Sequence, residues 1–313
     1  MRDRLVIFLI FAVISFSLPF ITGQEAKAAA VFPEEITLFR EKTGEIITIS
    51  AKDYITGCVS AQIPIDYEQQ ALNAQAAAAA TYALRLMADA DRVGESPWGE
   101  ADLSDSAALC QSYFDYDQCI ESYSEEYKEF LPKIEAAADY GLSHILTYEK
   151  EPIYAVYHSV NTGKTASPEI IWGRSLPYLK PVESPWDKSY INYECSNEMT
   201  TEEARKLLVK HKSDIEIPAD FGKWFSEINV NESGYVISLR LGKTLLSGGD
   251  MWRIFGLRSP AFEISYTDNI FTFKTRGYGH CAGLSQYGAN EMAKEGKTAA
   301  DILKYYYSGV EIS

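Results

Sequence analysis

The feature that most constrains this chain is an alanine-rich stretch in which five alanines, Ala76–Ala80, follow one another. Alanine is the best helix former, and a helix without bulky side chains lets another backbone approach closely. Pro64 lies shortly before the stretch and disfavours helical geometry in the residue that precedes it. The sequence therefore predicts that one helix ends at Pro64 and that a second, tightly packed helix runs to about Asp89.

Two capping patterns predict where these helices begin. Ser50 with Asp53 three positions later is typical of a helix start, and Asp66 with Gln69 repeats the pattern before the alanine-rich helix. Apolar residues recur at i, i+4 along the first helix. Gln62 lies on the flank of that apolar stripe, just before the turn.

Alternating apolar and polar residues predict several hairpins, at residues 36–49, 144–158, 234–246 and 262–274. The last of these is predicted to turn at Asp268 and Asn269. Further helices are predicted to begin at Pro132, Thr200, Ser285 and Thr298. Residues 93–123 have no clean period, which predicts long loops that form an ordered surface excursion. Because strands come in hairpins with helices between them, the expected class is α+β rather than a doubly wound parallel sheet.

The first 29 residues have the pattern of an export segment. Arg2 and Arg4 provide a charged start, an apolar run follows, and small residues at Ala26–Ala29 are typical of a cleavage site. The apolar run fits either a cleaved signal peptide or a retained N-terminal membrane anchor. Either way, one domain at residues 30–313 is expected outside the cytoplasm.

The chain is strongly acidic. Its 313 residues carry a net charge of −15, and because residues 1–29 contribute +1, residues 30–313 carry −16. Such a surface repels nucleic acid and anionic lipid. We therefore expect no nucleic-acid partner, and a polymer ligand that is neutral or is bound in a local cleft.

The five cysteines and four histidines predict neither a disulfide framework nor a metal site. Cys110 and Cys119 could pair, and buried free thiols are the alternative. The histidines lie far apart, with no HExxH or CxxC spacing, so the remaining metal hypothesis is a structural ion held by Cys110 or Cys119. No cofactor is expected.

Two polar motifs stand out in the second half of the chain. RGYGHCAGLSQYGA at residues 276–289 combines glycines, which permit close backbone approach, with hydrogen-bonding side chains. A tight strand-to-helix turn is the alternative reading of this motif. HSVNTGKT at residues 158–165 is also rich in donors and acceptors. Since no GxSxG elbow or orienting acid accompanies it, a serine hydrolase is not expected.

Three strings of the sequence occur in an order known from one family. They are YITGCVSAQIP…ALNAQAAAAATYAL at 54–84, HSVNTGKTASPEIIWG…PYLKPVESPWD at 158–187, and FGLRSPAFEI…RGYGHCAGLSQYGANEMA…ILKYYYSGVEI at 255–312. Together they resemble the stage II sporulation protein D family, which includes amidase-enhancer-type cell-wall proteins. The likeness covers nearly the whole exported part.

The resemblance implies a lytic transglycosylase that cuts peptidoglycan strands, preferably those stripped of stem peptides. In the family one glutamate with a raised pKa protonates the leaving glycosidic oxygen, and a base lets the muramic C6 hydroxyl close on C1. It also implies a glycan-binding groove, and action with the sporulation amidase P and membrane protein M during engulfment. The substrate-binding residues that it implies are Gln75, Tyr82, His158, Ser159, Thr165, Tyr278, His280, Ser285, Gln286 and Tyr287.

The departures from the family pattern matter more than the matches. The family's glutamate falls on Gln62 and the family's arginine falls on Ala80. An amide does not titrate, so it cannot supply the proton. Losing both members of a charge pair avoids a stranded buried charge, which is the costly outcome. Milder departures are Thr162, Cys281 and Tyr305, and only Cys110 remains of a Cys/His cluster found in some relatives, so zinc is not expected.

Three hypotheses follow from these departures. The leading one is a glycan-strand binding protein that has lost its general acid and acts in wall remodelling during sporulation. The second is an active lytic transglycosylase with a substitute acid, for which Asp66 and Glu68 are the nearest carboxylates. The third is an exported structural domain that binds no glycan.

Overall fold

The structure is a computed structural model that describes residues 31–93, 96, 98–108, 110–211 and 215–313 of the chain. The predicted export segment lies outside these residues. The chain divides into two compact units, one comprising the described residues up to Tyr157 together with Ala289–Ser313, and the other comprising His158–Gly288. None of the described helices combines the length and the apolar character that a membrane crossing requires.

The first part of the chain alternates short strands with long helices. Its elements are β1 (Glu35–Arg40), β2 (Glu45–Ser50), α1 (Ala51–Gln62), α2 (Gln69–Val93), β3 (Leu103–Ser104), α3 (Tyr116–Tyr123), α4 (Tyr127–Leu142), β4 (Leu146–Tyr148), β5 (Glu151–Pro152) and β6 (Tyr157–His158). The middle part is richer in strands: α5 (Pro168–Trp172), β7 (Glu194–Thr200), α6 (Thr201–His211), β8 (Phe225–Val230), β9 (Val236–Leu241), β10 (Thr244–Ser247), α7 (Gly248–Phe255), β11 (Phe262–Thr267) and β12 (Ile270–Arg276). The chain ends with β13 (Leu284–Ser285), α8 (Gln286–Lys294), α9 (Ala299–Tyr306) and β14 (Glu311–Ile312).

The alanine-rich helix α2 forms the centre of the first unit, as predicted. All five residues of Ala76–Ala80 are fully buried. Gly141 of α4 lies so close to Ala76 that a Cβ at position 141 would fall 2.6 Å from the Ala76 carbonyl oxygen. Helix α9 meets the start of the same helix, where the Ala299 amide donates to Gln70 Oε1 at 2.8 Å. The small side chains therefore bring neighbouring helices to backbone contact.

Local signals located most of the element ends. The Ser50 hydroxyl caps α1 by accepting from the Asp53 amide at 3.0 Å, and α1 ends at Gln62 just before Pro64. Thr200 with Glu203 precedes α6, and Thr298 with Asp301 forms a capping box at α9. These predictions are confirmed.

Two predictions about helix starts were wrong, and the prediction for residues 93–123 was incomplete. Asp66 does not cap α2, because the helix begins three residues later at Gln69 and Asp66 is exposed. Helix α4 begins five residues before Pro132, which lies inside it. The segment at 93–123 is rich in loops, as predicted, but it also contains β3 and α3, and Gln111 within it is completely buried. An Asp115–Gln118 capping box starts α3, but the helix is too short to display a periodic pattern.

The second unit is built from antiparallel hairpins. Strands β11 and β12 pair across the predicted turn at Asp268 and Asn269, both of which have left-handed φ angles, and β7 extends this sheet on the other side of β12. A second sheet has the order β10-β9-β8. The core between these elements and α7 is aromatic, with Trp224, Trp252 and Phe273 buried. Together with the helical first unit, this confirms the α+β class.

All five cysteines are free thiols, so the Cys110–Cys119 pairing does not form and the alternative of free thiols holds. Four of the five side chains are buried, and Cys195 is half-buried. Among the described residues, no three His, Cys, Asp or Glu side chains lie close enough together to hold a metal ion.

Candidate functional site

Gln62 is held in place at the last turn of α1. Its side chain is 3% exposed, and its Nε2 donates to the Ser112 carbonyl oxygen at 3.0 Å. Its Oε1 is buried and has no hydrogen-bond partner among the described residues. The segment that carries Ser112 is packed against α1 at Gly57, whose carbonyl accepts from the Phe114 amide at 3.2 Å. A Cβ at Gly57 would lie 2.4 Å from the Phe114 carbonyl oxygen, so only glycine permits this contact.

A buried hydrogen-bond network next to Gln62 connects Tyr157 with α2. The Tyr157 hydroxyl donates to Gln111 Oε1 at 2.7 Å, and Gln111 Nε2 donates to the Ala79 carbonyl at 3.1 Å. Burial raises the pKa of the Tyr157 phenol well above its ordinary value, and hydrogen bonding with the Gln62 side chain opposes that shift. The network therefore runs from the Tyr157 phenol, which lies beside Gln62, to the carbonyl next to Ala80. It places the two positions that depart from the family pattern in the same buried region of the first unit.

The other candidate residues of the first unit lie on α2. Ala80 and Gln75 are fully buried, and Tyr82 is 1% exposed. Burial raises the pKa of the Tyr82 phenol well above its ordinary value. Their packing is that of core residues, and a substrate-binding role for Gln75 and Tyr82 stays a prediction.

The carboxylates that follow Gln62 in the sequence point into solvent. Asp66 and Glu68 are both exposed, and the Glu68 backbone amide donates to Asn290 Oδ1 at 2.8 Å just before α2 begins. Neither carboxyl therefore lies in buried surroundings like those of Gln62.

His158 of the second unit is a neutral, structurally fixed imidazole. Its Nδ1 donates to the Ala282 carbonyl at 3.0 Å. Its Nε2 can therefore accept from the side-chain amide of Asn161, whose Nδ2 lies 3.2 Å away. Burial lowers the pKa of His158 to about 3, so the ring stays uncharged. The backbone carbonyl of the neighbouring Ser159 accepts from the Tyr287 amide at 3.1 Å. A Ser–His nucleophile is absent from this pair.

Asp187 connects the two polar motifs of the second unit, and the sequence did not identify it as a site residue. Its buried carboxylate accepts from the backbone amide of Asn161 at 2.7 Å, from the Ser285 hydroxyl at 2.6 Å and from the Ser184 hydroxyl. Burial raises the pKa of Asp187 to about 6 against these hydrogen bonds. Thr165 lies in the same loop region, where its Oγ1 accepts from the Val182 amide at 2.8 Å.

His280 is enclosed by tryptophan rings. Its ring centroid lies 5.1 Å from that of Trp172 and 6.5 Å from that of Trp252, and its Nδ1 accepts from the Ala282 amide at 3.1 Å. The next residue, Cys281, has a φ of +64°, a left-handed conformation that favours glycine. A glycine, which the resemblance implies at this position, would adopt this conformation without strain.

Aromatic side chains surround the start of α8. Tyr287 makes an edge contact with Tyr190 at a centroid distance of 5.2 Å, and the Arg258 guanidinium lies over the Tyr278 ring at 4.5 Å. Gln286, the first residue of α8, is 5% exposed. Thus the structure brings the candidates of the second unit into two groups: a buried polar group around Asp187 and a half-buried aromatic group around Tyr278.

Comparison with known proteins identifies the family. A sequence model of the stage II sporulation protein family, SpoIID, matches residues 40–148. Stage II sporulation protein D of Bacillus subtilis (strain 168) is 36% identical over 291 residues, which cover 92% of this chain and 81% of that protein. The chain belongs to the stage II sporulation protein D family.

More relatives of the sporulation protein D family extend this finding. Stage II sporulation protein D of Bacillus amyloliquefaciens is 34% identical over 284 residues, covering 90% of this chain and 79% of that protein. The amidase enhancer of Bacillus subtilis (strain 168) is 24% identical over 307 residues, covering 83% of this chain and 40% of that protein.

A signal for Asp187 was present in the sequence. The residue ends the string PWD, which contributed to the family resemblance, yet one aspartate in a loop gives no indication of burial. Its partners Asn161 and Ser285 are 26 and 98 positions away, so only the folded chain reveals that one carboxylate joins both motifs.

Proposed function

We propose that this member of the sporulation protein D family binds glycan strands of peptidoglycan and acts in cell-wall remodelling during sporulation, without cleaving them efficiently. The observation that carries the proposal is the side chain at position 62, an amide where the resemblance places the family's proton donor. The sporulation context is supported by relatives named stage II sporulation protein D. Amidase P and membrane protein M are the proposed partners.

The hydrogen bond that holds Gln62 requires a side chain that carries a proton. Nε2 donates to the Ser112 carbonyl, a role that an ionised carboxylate cannot take over because it has no proton to give. The position of the family's arginine is occupied by Ala80, which is fully buried in α2. Loss of both charges leaves no unpaired ion in the core, so the fold keeps its stability while the acid is absent.

The proposal is tested with denuded glycan strands. The purified exported part is incubated with the strands, and mass spectrometry searches for 1,6-anhydromuramic ends. We expect no such ends above background, together with co-sedimentation of the protein with purified sacculi. Cleavage at the rate of active relatives contradicts the loss of catalysis, and absence of sedimentation contradicts glycan binding.

A variant that restores the charge pair shows whether the protein has lost only the proton donor or also the catalytic geometry of the groove. We expect Gln62→Glu combined with Ala80→Arg to produce some anhydromuramic ends, whereas Ala80→Arg alone produces none. If the double variant folds and binds sacculi but gives no product, the groove itself has lost its catalytic geometry.

The rival proposal, an active enzyme with a substitute acid, needs a protonated carboxyl near the scissile bond. Asp187 has a raised pKa, but its oxygens are already engaged by two hydroxyls and one backbone amide. Glu68 is therefore the testable substitute. Turnover that survives Gln62→Ala but is lost in Glu68→Ala would support the rival.

A further inference from the structure

Arg258 differs from the other half-buried arginines of the structure. Five of those have a carboxylate oxygen at 2.8–3.1 Å: Arg40, Arg85, Arg240, Arg253 and Arg276. Arg258 is equally half-buried but has no carboxylate partner in the part of the chain that the structure describes. In a chain with 44 acidic and 29 basic residues, a half-buried arginine without an ion pair to a described carboxylate is unexpected.

The position of Arg258 is nevertheless well defined. Its Nη1 donates to the Asn192 carbonyl at 3.2 Å, and its guanidinium lies over the Tyr278 ring. Its own backbone carbonyl accepts from the Gly279 amide at 2.7 Å. Backbone and side chain are therefore both fixed, and the order of the guanidinium does not depend on an ion pair.

The neighbours of Arg258 are tyrosines that are only partly buried. Tyr190, Tyr278 and Tyr287 are each half-buried, so each leaves part of its surface in solvent. Burial raises the pKa of the Tyr190 and Tyr278 phenols, and the positive charge of Arg258 opposes that shift in both. The charge thus acts on both rings, and Tyr190 in turn contacts Tyr287. We call these four residues, Arg258, Tyr190, Tyr278 and Tyr287, the Arg258 cluster.

We propose that the Arg258 cluster is a binding site for a carboxylate-bearing sugar, with Arg258 as the residue that selects the carboxylate. Phenol rings offer apolar faces and a polar tip, a combination that suits a pyranose ring. A guanidinium presents a planar fork of donors that matches a carboxylate. A stacking contact with Tyr278 alone would explain the position of Arg258, but not why no carboxylate of the described residues pairs with it.

The inference rests on the proposed glycan binding and specifies which glycan. N-acetylmuramic acid bears a lactyl carboxylate, which is free only where no peptide is attached to it. Arg258 would therefore favour peptide-free strands by binding this group directly. Since residues 30–313 carry −16, an acidic sugar is repelled by the surface as a whole, and a local cation is needed to bind it.

The test compares one glycan in two chemical forms. Denuded strands are used with the lactyl carboxylates free or converted to methyl esters, and binding to the protein is measured by calorimetry. We expect the unsubstituted protein to bind the esterified strands about tenfold more weakly, because a charge-assisted hydrogen bond is lost. We expect Arg258→Gln to lose the preference for the free form and to bind it no better than the esterified form, and Arg258→Lys to discriminate partially.

The test includes a matched control variant and a comparison that needs no variant to fold. Arg240→Gln removes a half-buried arginine that is paired with Glu227, and it should retain full discrimination. If Arg258→Gln fails to fold, the comparison of the two strand forms on the unsubstituted protein still decides the matter. Equal binding of both forms, or discrimination that persists in a folded Arg258→Gln variant, overturns this inference alone. Binding of neither form overturns the proposed function as well.

Discussion

At the scale of single residues, Gln62 and Asp187 show two ways in which a polar side chain is accommodated in the core. Gln62 uses its amide to donate to a carbonyl and leaves an acceptor without a partner. Asp187 receives three donors and still has its pKa raised, because burial outweighs them. In both cases the burial is imposed by segments distant in the sequence.

Replacing Gln62 with glutamate should produce a pH-dependent loss of stability. The ionised carboxylate would face the Ser112 carbonyl in a buried site, which we expect to cost about 1–3 kcal/mol at neutral pH. The pKa of this carboxyl in the folded protein is then raised above its unfolded value. The loss should therefore be small below about pH 4 and grow as the pH rises through the folded pKa.

This prediction is measured by urea unfolding of Gln62→Glu and the unsubstituted protein at pH 4 and pH 7. Gln62→Met serves as the control, because it removes the same hydrogen bond without adding a titratable group and should lose the same stability at both pH values. An equal loss for Gln62→Glu at both pH values would contradict the expectation.

Asp187 should make folding less favourable as the pH rises. Its pKa is raised from an ordinary value of 3.8 to about 6, so the folded state releases this proton later than the unfolded state. Stability from this group is complete below pH 4 and declines by up to about 3 kcal/mol by pH 7. In Asp187→Asn, which cannot titrate, the stability difference from the unsubstituted protein should shift by this amount between pH 4 and pH 7. A pH-independent difference in urea unfolding would refute it.

At the scale of secondary-structure elements, the close crossing of α2 and α4 governs the packing of the first unit. Gly141 provides the space that the Ala76 backbone occupies. The pairing of these helices explains why the alanine run contains no larger side chain. A side chain inserted at the crossing would separate two long helices along their whole contact.

Gly141→Ala should therefore destabilise the protein, although alanine is the better helix former. The added Cβ would lie 2.5–2.9 Å from atoms of Ala76, and the backbone shift that relieves this overlap should cost about 1–3 kcal/mol. Thermal unfolding measures the effect. Ala136→Ser, on the exposed side of α4, should change stability by less than about 0.5 kcal/mol. A stabilised Gly141→Ala variant would mean that the helices are not in backbone contact.

At the scale of the whole molecule, the burial of the cysteine thiols shows how tightly the chain is packed around them. Cys58, Cys110 and Cys281 are fully buried, and burial raises the pKa of each thiol, that of Cys110 to about 11. Cys119 is likewise buried with a raised pKa. Both effects suppress the reactive thiolate. Only the half-buried Cys195 combines access with a free thiol.

An aromatic disulfide reagent should accordingly label one cysteine rapidly in the native protein and the other four only on unfolding. Cys195→Ser should abolish the rapid phase while leaving the slow phase unchanged. Rapid labelling of a second thiol in that variant would indicate that part of the core opens readily.

Much of the local structure was predictable because its causes are local. A hydroxyl followed three positions later by a carboxylate marked the starts of α1, α6 and α9, and alternation with a turn at Asp268 and Asn269 marked β11 and β12. The same reasoning failed for α3, whose eight residues are too few for a periodic signal, and for Asp66, where a capping pattern lies outside the helix.

The sequence by itself determined the family of this protein, the α+β class and the amide at position 62, because motifs, periodicity and residue identity need no coordinates. Tertiary structure alone decided that Gln62 is anchored to Ser112, that Asp187 joins two motifs and that Arg258 has no acidic partner among the described residues. The physical reason is that burial and pairing depend on residues brought together from distant parts of the chain. A pattern of neighbouring residues does not indicate these long-range contacts.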